Sequence, residues 1–204
     1  MCNVIRLYFM FVIVSFFTTI FSMQNTLHDL VNIEEINSRI RLDIRYATKN
    51  NFTHQVLYSS PKAYLRKGVA HQLSNVQEEL ETFGFGLKIW DAYRPHAVQY
   101  ILWNLVPNKC FVADPKKGSR HNRGAAVDVT LVDIDGNELE MPRVLDDFTE
   151  KAGRISVQQI ENSQLLEDIM KRHGFIGSPT KWCHFYAKGW EQYDLLDIPF
   201  EQLP

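Results

Sequence analysis

Two histidines and one aspartate carry the chemistry that this sequence suggests most directly. His121 sits on a glycine-flanked loop between Gly118 and Gly124, Asp128 follows seven residues later in an apolar run, and His184 lies inside the aromatic segment Trp182–Cys183–His184–Phe185–Tyr186. Two imidazoles and a carboxylate can bind one zinc ion and leave a fourth position for water. The spacing alone leaves a second reading open, in which His184 is a satisfied core residue and Asp128 a capping or salt-bridged one. A second cluster, Trp90–Asp91–Ala92–Tyr93–Arg94–Pro95, brings an arginine to the junction of a strand and a helix. Arg94 offers a planar fork of donors for a carboxylate or a developing oxyanion, with Asp91 placed to orient it. By itself this pair reads as a structural ion pair at a strand end.

The elements that must position these residues follow from periodicity. Arg39 to Tyr46 alternates polar with apolar, the signature of a half-buried strand. Leu65, Val69, Leu73, Val76 and Leu80 recur at helical spacing, which predicts a helix over 63–83 that stops at Gly84. A short strand is expected over Leu87 to Trp90, a helix from Pro95 to Trp103, a polar loop from Pro107 to Gly118, and a buried strand from Ala125 to Val132. Asp128 in the middle of that strand requires a partner. Asp133 to Gly136 signals a turn and a hairpin, Val157 to His173 a second long helix closed by Gly174, and Lys181 to Trp190 a final strand. Helices and strands mix without a βαβ rhythm, so the expected class is α+β. The aromatics Phe83, Phe85, Trp90, Trp103 and Phe148 fall within apolar segments and are expected in the core.

The chain has 204 residues, 45% hydrophobic and 23% charged, with a net charge of -2, and no tract resembles a linker or repeat. That excludes disorder and two large domains, and it gives no reason to expect nucleic acid or an anionic membrane as partner. Residues 1–22 differ in kind. Arg6 precedes an almost wholly apolar run from Tyr8 to Phe21, too short to span a bilayer, which fits a secretory signal cleaved near Ser22. An uncleaved anchor is the other reading, because bulky Ile20 stands three residues before that cut. Either way the remaining domain, 23–204, is expected outside the cytosol, periplasmic or secreted. There Cys110 and Cys183 can pair, although two thiols are preferred over one isolated bridge.

Taken together, and in this order, Asp43–Ile44–Arg45–Tyr46–Ala47–Thr48, Asn51–Phe52–Thr53, Asp91 to Pro95, Ser119-x-His121-x-x-Gly124-x-Ala126–Val127–Asp128, Gly174–Phe175 and Trp182-x-His184 resemble the D-alanyl-D-alanine dipeptidases, a family of zinc peptidases. The resemblance covers most of the chain. It implies a small α+β domain with a mixed or antiparallel sheet flanked by helices, and hydrolysis of a free dipeptide linked to cell-wall metabolism. It also implies one zinc ion held by His121, Asp128 and His184, with Arg94 stabilising the oxyanion. Tyr46, Ser119 and Asp91 would help to hold the small zwitterionic substrate.

One position departs from the family pattern. Three residues before its last zinc histidine the family has a glutamate, in a Glu-Trp-Trp-His block, which serves as general base; this chain has Lys181–Trp182–Cys183–His184. A protonated lysine cannot accept the proton of the attacking water, and its charge opposes a nearby dication. Three readings stay open: an enzyme with a depressed lysine pKa or another proton relay, a retired catalyst that still binds zinc or D-alanyl peptides, and a single-base change in the codon. Cys183 beside His184 is a weaker candidate for a thiolate ligand or redox thiol, since adjacent strand residues face opposite ways. His54, His71, His96 and His173 are expected to be solvated.

Overall fold

The computed structural model describes residues 29–109, 112–142 and 156–204. The chain divides into a unit of residues 1–30 and a compact unit of residues 31–204, and the site lies entirely in the second. The expected signal segment, residues 1–22, lies outside the described residues, as do Cys110 and Phe148. No helix among the described residues is long and apolar enough to cross a membrane.

Seven strands and four helices are described, in the order β1 (Leu30–Asn32), α1 (Ile33–Ile36), β2 (Arg41–Leu42), β3 (Tyr64–Arg66), α2 (Lys67–Glu81), β4 (Gly86–Asp91), α3 (His96–Leu105), β5 (Ala126–Val132), α4 (Val157–Arg172), β6 (Phe175–Gly177) and β7 (His184–Ala187). Five strands form one mixed sheet in the order β2-β4-β5-β7-β6, and β1 with β3 forms a two-stranded one. Only β2 runs parallel to its neighbour β4; the other pairs of the large sheet are antiparallel. The domain is therefore α+β, as the mixing of helices and strands along the sequence suggests, and its sheet is mixed, one of the two forms that the family resemblance implies.

The helices form where apolar spacing demands them. α2 buries Val69, Ala70, Leu73, Val76 and Leu80 on one face, and Gly84 at φ 78° ends the segment in a conformation that disfavours a side chain. α4 buries Leu166, Ile169 and Met170. A reciprocal capping box starts it, in which the Gln159 amide donates to Ser156 Oγ and the Gln159 side chain accepts from the Ser156 amide.

The strand boundaries are shorter than periodicity suggests. Of Arg39 to Tyr46, only Arg41–Leu42 is strand, because the chain then turns through a 3-10 segment, Arg45–Ala47, that the Leu57 and Tyr58 amides clamp through Tyr46 O. The helix expected from residue 63 starts at Lys67. Tyr64–Arg66 is instead drawn into the two-stranded sheet with β1, and it is held further by Tyr93 N donating to Tyr64 O and Arg66 N donating to Gly124 O, both at 2.9 Å. In the last segment only His184–Ala187 is strand. The turn at Asp133 forms, with Asp133 N donating to Asn137 O, and returns only as far as a single bridge between Val132 and Glu138.

The core is more aliphatic than the aromatic pattern suggests, and among the described residues the rings buried in it are Tyr58, Tyr64, Tyr93, Phe175, Phe185 and Phe200. Phe83 is 53% exposed, and Phe85, Trp90 and Trp103 are half-buried. They lie at element ends or on outward faces, where apolar periodicity does not distinguish rim from centre. His54 and His71 are exposed, whereas His96 Nε2 lies 2.7 Å from Pro115 O and His173 Nε2 lies 2.6 Å from Glu79. Those last two are structural contacts rather than solvated side chains.

Candidate metal centre and active site

The site is assembled on one cross-strand row of the sheet. Asp128 on β5 is the register partner of His184 on β7 and, on its other side, of Asp91 on β4. Directly opposed residues project to the same face with Cβ atoms about 4.5–5.5 Å apart, close enough for these polar side chains to meet. A bulge in β4 makes this possible. Ile89 pairs with Val129 and Asp91 with Asp128, so Trp90 is the extra residue that re-aims Asp91 toward the row. His121 arrives from outside the sheet, on a 3-10 turn (His121–Arg123) that Gly124 closes at φ 66°.

The three donors meet. His121 Nε2 lies 3.2 Å from His184 Nδ1, and Asp128 Oδ1 lies 2.8 Å from His184 Nδ1 and 3.6 Å from His121 Nε2. The circle through these atoms has a radius of about 1.9 Å, so an ion with bonds of about 2.0–2.2 Å can touch all three from just outside their plane. On its far nitrogen, His121 donates from Nδ1 to Ala92 O at 2.7 Å, which fixes the tautomer and leaves Nε2 as the ligand atom. Burial pushes His184 below its ordinary pKa. The neighbouring charges of His121 and Lys181 push the same way against the opposing pull of Asp128, which favours the neutral imidazole that a metal needs. Burial would raise the Asp128 carboxyl, but the two imidazoles override it and hold the group well below the usual carboxylate range. The donor set therefore fits a divalent ion.

Beside it lies a buried cation. Arg94 is 6% exposed; its Nη2 donates to Asp91 Oδ2 at 2.5 Å, and its Nη1 donates to Gln99 Oε1 at 2.8 Å. Burial by itself would lower the Arg94 pKa, but Asp91 and the nearby tyrosines keep it well above the ordinary value, so the charge is permanent. Arg94 Nε is buried with no hydrogen-bond partner, and the guanidinium carbon lies 5.2 Å from the Tyr46 ring centroid. Asp91 is 2% exposed. Its Oδ1 accepts from Tyr58 OH at 2.8 Å and from Ala92 N at 3.0 Å, and its Oδ2 accepts from Arg94. This carboxylate stands behind Arg94 rather than against a substrate, because both its oxygens are engaged within the protein. Desolvation, reinforced by Asp91, raises the Tyr58 pKa well above its ordinary value, so the phenol stays a donor.

His121, Asp128, His184, Arg94, Tyr46, Ser119 and Lys181 all line one cavity of about 420 Å³. Ser119 Oγ accepts from His121 N at 3.3 Å and so helps to set the histidine loop. Cys183 is 3% exposed and lines a smaller neighbouring cavity with Asp91 and Asp128. The ligand cluster found among the described residues consists of His121, Asp128 and His184, without Cys183. Sequence reasoning missed Tyr58, Gln99 and Asn122. Tyr58 lies in an irregular segment with no motif, whereas Gln99 follows Arg94 by five residues on a buried helix face, where a polar side chain is itself a signal. Asn122 donates to Arg94 O at 2.9 Å and accepts from Ser119 N at 2.6 Å, which ties the histidine loop to the arginine.

A two-histidine, one-carboxylate cluster beside a buried arginine in an open cavity defines a site for metal-assisted hydrolysis. The chain belongs to the peptidase family described as D-ala-D-ala dipeptidase, whose model matches residues 26–200. It is 32% identical over 176 residues to the D-alanyl-D-alanine dipeptidase of Escherichia coli, covering 84% of this chain and 91% of that protein. It is 30% identical over 181 residues to the enzyme of the same name from Enterococcus faecium, covering 76% and 90%. A solved structure of the vancomycin-resistance D,D-pentapeptidase VanY in complex with Zn(II) matches with a TM-score of 0.44 at 16% identity, over 66% of this chain and 78% of that one.

Proposed function

We propose that the chain hydrolyses the free dipeptide D-alanyl-D-alanine in a zinc-dependent reaction that serves cell-wall peptide metabolism. The observation that carries this reading is the convergence of His121, Asp128 and His184 with the buried Arg94 on one cavity, in a chain of the D-ala-D-ala dipeptidase family. Zinc held by the three donors would polarise the scissile carbonyl and acidify its bound water. The chain's own residues do the rest. Arg94 supplies a preorganised charge for the oxygen that becomes negative, and Asp91 and Gln99 fix its orientation so that none is lost during reaction. Tyr46 and Ser119 line the cavity and confine the small substrate. The apolar run from Tyr8 to Phe21 supports export, and an exported dipeptidase suits salvage of wall-derived dipeptide better than resistance, which requires action where the dipeptide is made.

A second reading, a weakened or retired catalyst that still binds zinc and D-alanyl peptides, is favoured by Lys181 on the cavity wall. Its ammonium donates protons and cannot accept the one released by water, and a missing positioned base costs ~100- to 10,000-fold in rate. The same charge helps to keep His184 neutral, the form in which it binds metal. One experiment separates the two readings: metal analysis and D-alanine release on the chain from Met23 onward, with and without chelator, for the parent and Lys181→Glu. Near one equivalent of zinc, chelator-sensitive release, and at least a tenfold gain in the variant are expected. Bound metal without turnover in either protein would establish the binding relative, and no metal binding would refute both readings.

A further inference from the structure

We infer that Arg120 is a specificity-determining residue that grips the C-terminal carboxylate of the bound dipeptide, an inference that rests on the dipeptidase reading of the same site. Arg120 immediately precedes the ligand His121 and lines the cavity. Its guanidinium carbon packs 3.8 Å from the Tyr186 ring centroid and 4.7 Å from that of Trp190. Its Nε is buried with no hydrogen-bond partner, and among the described residues no carboxylate pairs with it. The neighbouring arginines are engaged: Arg94 by Asp91 and Gln99, and Arg123 by Tyr193 O. A guanidinium stacked on aromatic rings is held in one plane, and its donors project from the edge of that plane, the geometry that receives a carboxylate.

Reach and charge point to the same ligand. Tyr186 is two residues beyond His184 on β7 and shares its face, with ring centroids 6.1 Å apart. Together with the Arg120 stacking distance, this puts the guanidinium within about 10 Å of the His184 ring. A carbonyl about 3 Å from the ligand set, one residue of about 3.5 Å, and a carboxylate-to-guanidinium separation of about 4 Å span the same length. Five cations, Arg94, Lys109, Lys117, Arg120 and Lys181, line the cavity. The one carboxylate among the described lining residues, Asp128, belongs to the ligand set. The cavity is thus built to receive negative charge.

The test compares D-alanyl-D-alanine with its C-terminal amide, by titration calorimetry and by hydrolysis, for the zinc-loaded parent, Arg120→Met and Arg120→Lys. The parent should favour the free acid by ~10- to 100-fold, the size of one charge-assisted contact. Arg120→Met should erase that preference, raise KM by a similar factor and leave kcat within about threefold, and Arg120→Lys should restore part of the preference. Zinc content is measured alongside. A methionine variant with normal zinc and an intact acid preference overturns the inference; if that variant loses its metal, an undiminished preference in the metal-loaded lysine variant does the same. Dipeptide bound through Arg120 but not cleaved would sink the hydrolase reading and leave Arg120 as the anchor. Dipeptide neither bound nor cleaved by the parent would end both.

Discussion

Replacing Asp91 by asparagine should destabilise the fold and disable the site through one cause, the loss of the charge that holds Arg94. The pair is nearly solvent-free, with side chains 2% and 8% exposed and Nη2 to Oδ2 at 2.5 Å. Removing one partner of such a pair leaves a buried, uncompensated cation, at a cost of about 3–5 kcal/mol. The introduced amide would keep an acceptor for Tyr58 OH and Ala92 N, so the change isolates the interaction with Arg94. For a domain of this size each kcal/mol shifts Tm by about 2–4 °C, so a fall of roughly 6–20 °C is expected. Arg94→Met should be destabilising too, and the double variant should be less so than the sum, with a coupling of at least about 2 kcal/mol, because no unpaired charge remains. Urea unfolding of the four proteins measures this cycle. A loss below about 1 kcal/mol for Asp91→Asn, or additive single effects, would refute the account of Asp91 as the group that sets Arg94.

Tyr58→Phe removes one of the two donors to Asp91 Oδ1 and should cost about 1 kcal/mol in urea unfolding, with turnover lowered less than tenfold. An effect as large as that of Asp91→Asn would mean that the phenol contacts substrate. Gly118→Ala drives a methyl group into Leu195 Cδ2 and to 2.8 Å from Leu195 Cδ1, at a φ of 71°, so a loss of about 1–3 kcal/mol with a raised KM is expected; an unchanged Tm would show that the cavity wall yields freely. Glu79 is held below its ordinary pKa of 4.5 by hydrogen bonds from Arg172 and His173. Because the folded value is the lower one, its stabilisation is present above the unfolded pKa and fades as pH falls through the folded one. The Tm difference between the parent and Glu79→Gln should therefore be largest near neutrality and shrink below pH 4.5, and a difference constant down to about pH 3 would contradict it.

Some of this protein was legible in its residues alone. The long helices α2 and α4 follow from local spacing and local punctuation, Val69 to Leu80 before Gly84 and Ile160 to Met170 before Gly174, because a helix satisfies its backbone within itself. The donor types were legible too, since His121, Asp128, His184 and Arg94 are the atoms that hydrolytic chemistry requires and stand in recognisable local settings. Strand ends were not. Tyr64–Arg66 is a strand because Leu30–Asn32, more than 30 residues earlier in the chain, pairs with it, while Tyr93 and Gly124 bond to its backbone from about 29 and 58 residues further on. The bulge at Trp90, the row that opposes Asp91, Asp128 and His184, and the support of Arg94 by Tyr58 and Gln99 likewise belong to the tertiary structure. Register depends on what lies across the sheet, and the orientation of a buried charge on what surrounds it. The sequence determined which groups this domain has to work with, and only the packing of distant segments decided which of them face one another, because side-chain electrostatics acts through space over a few ångströms and not along the chain.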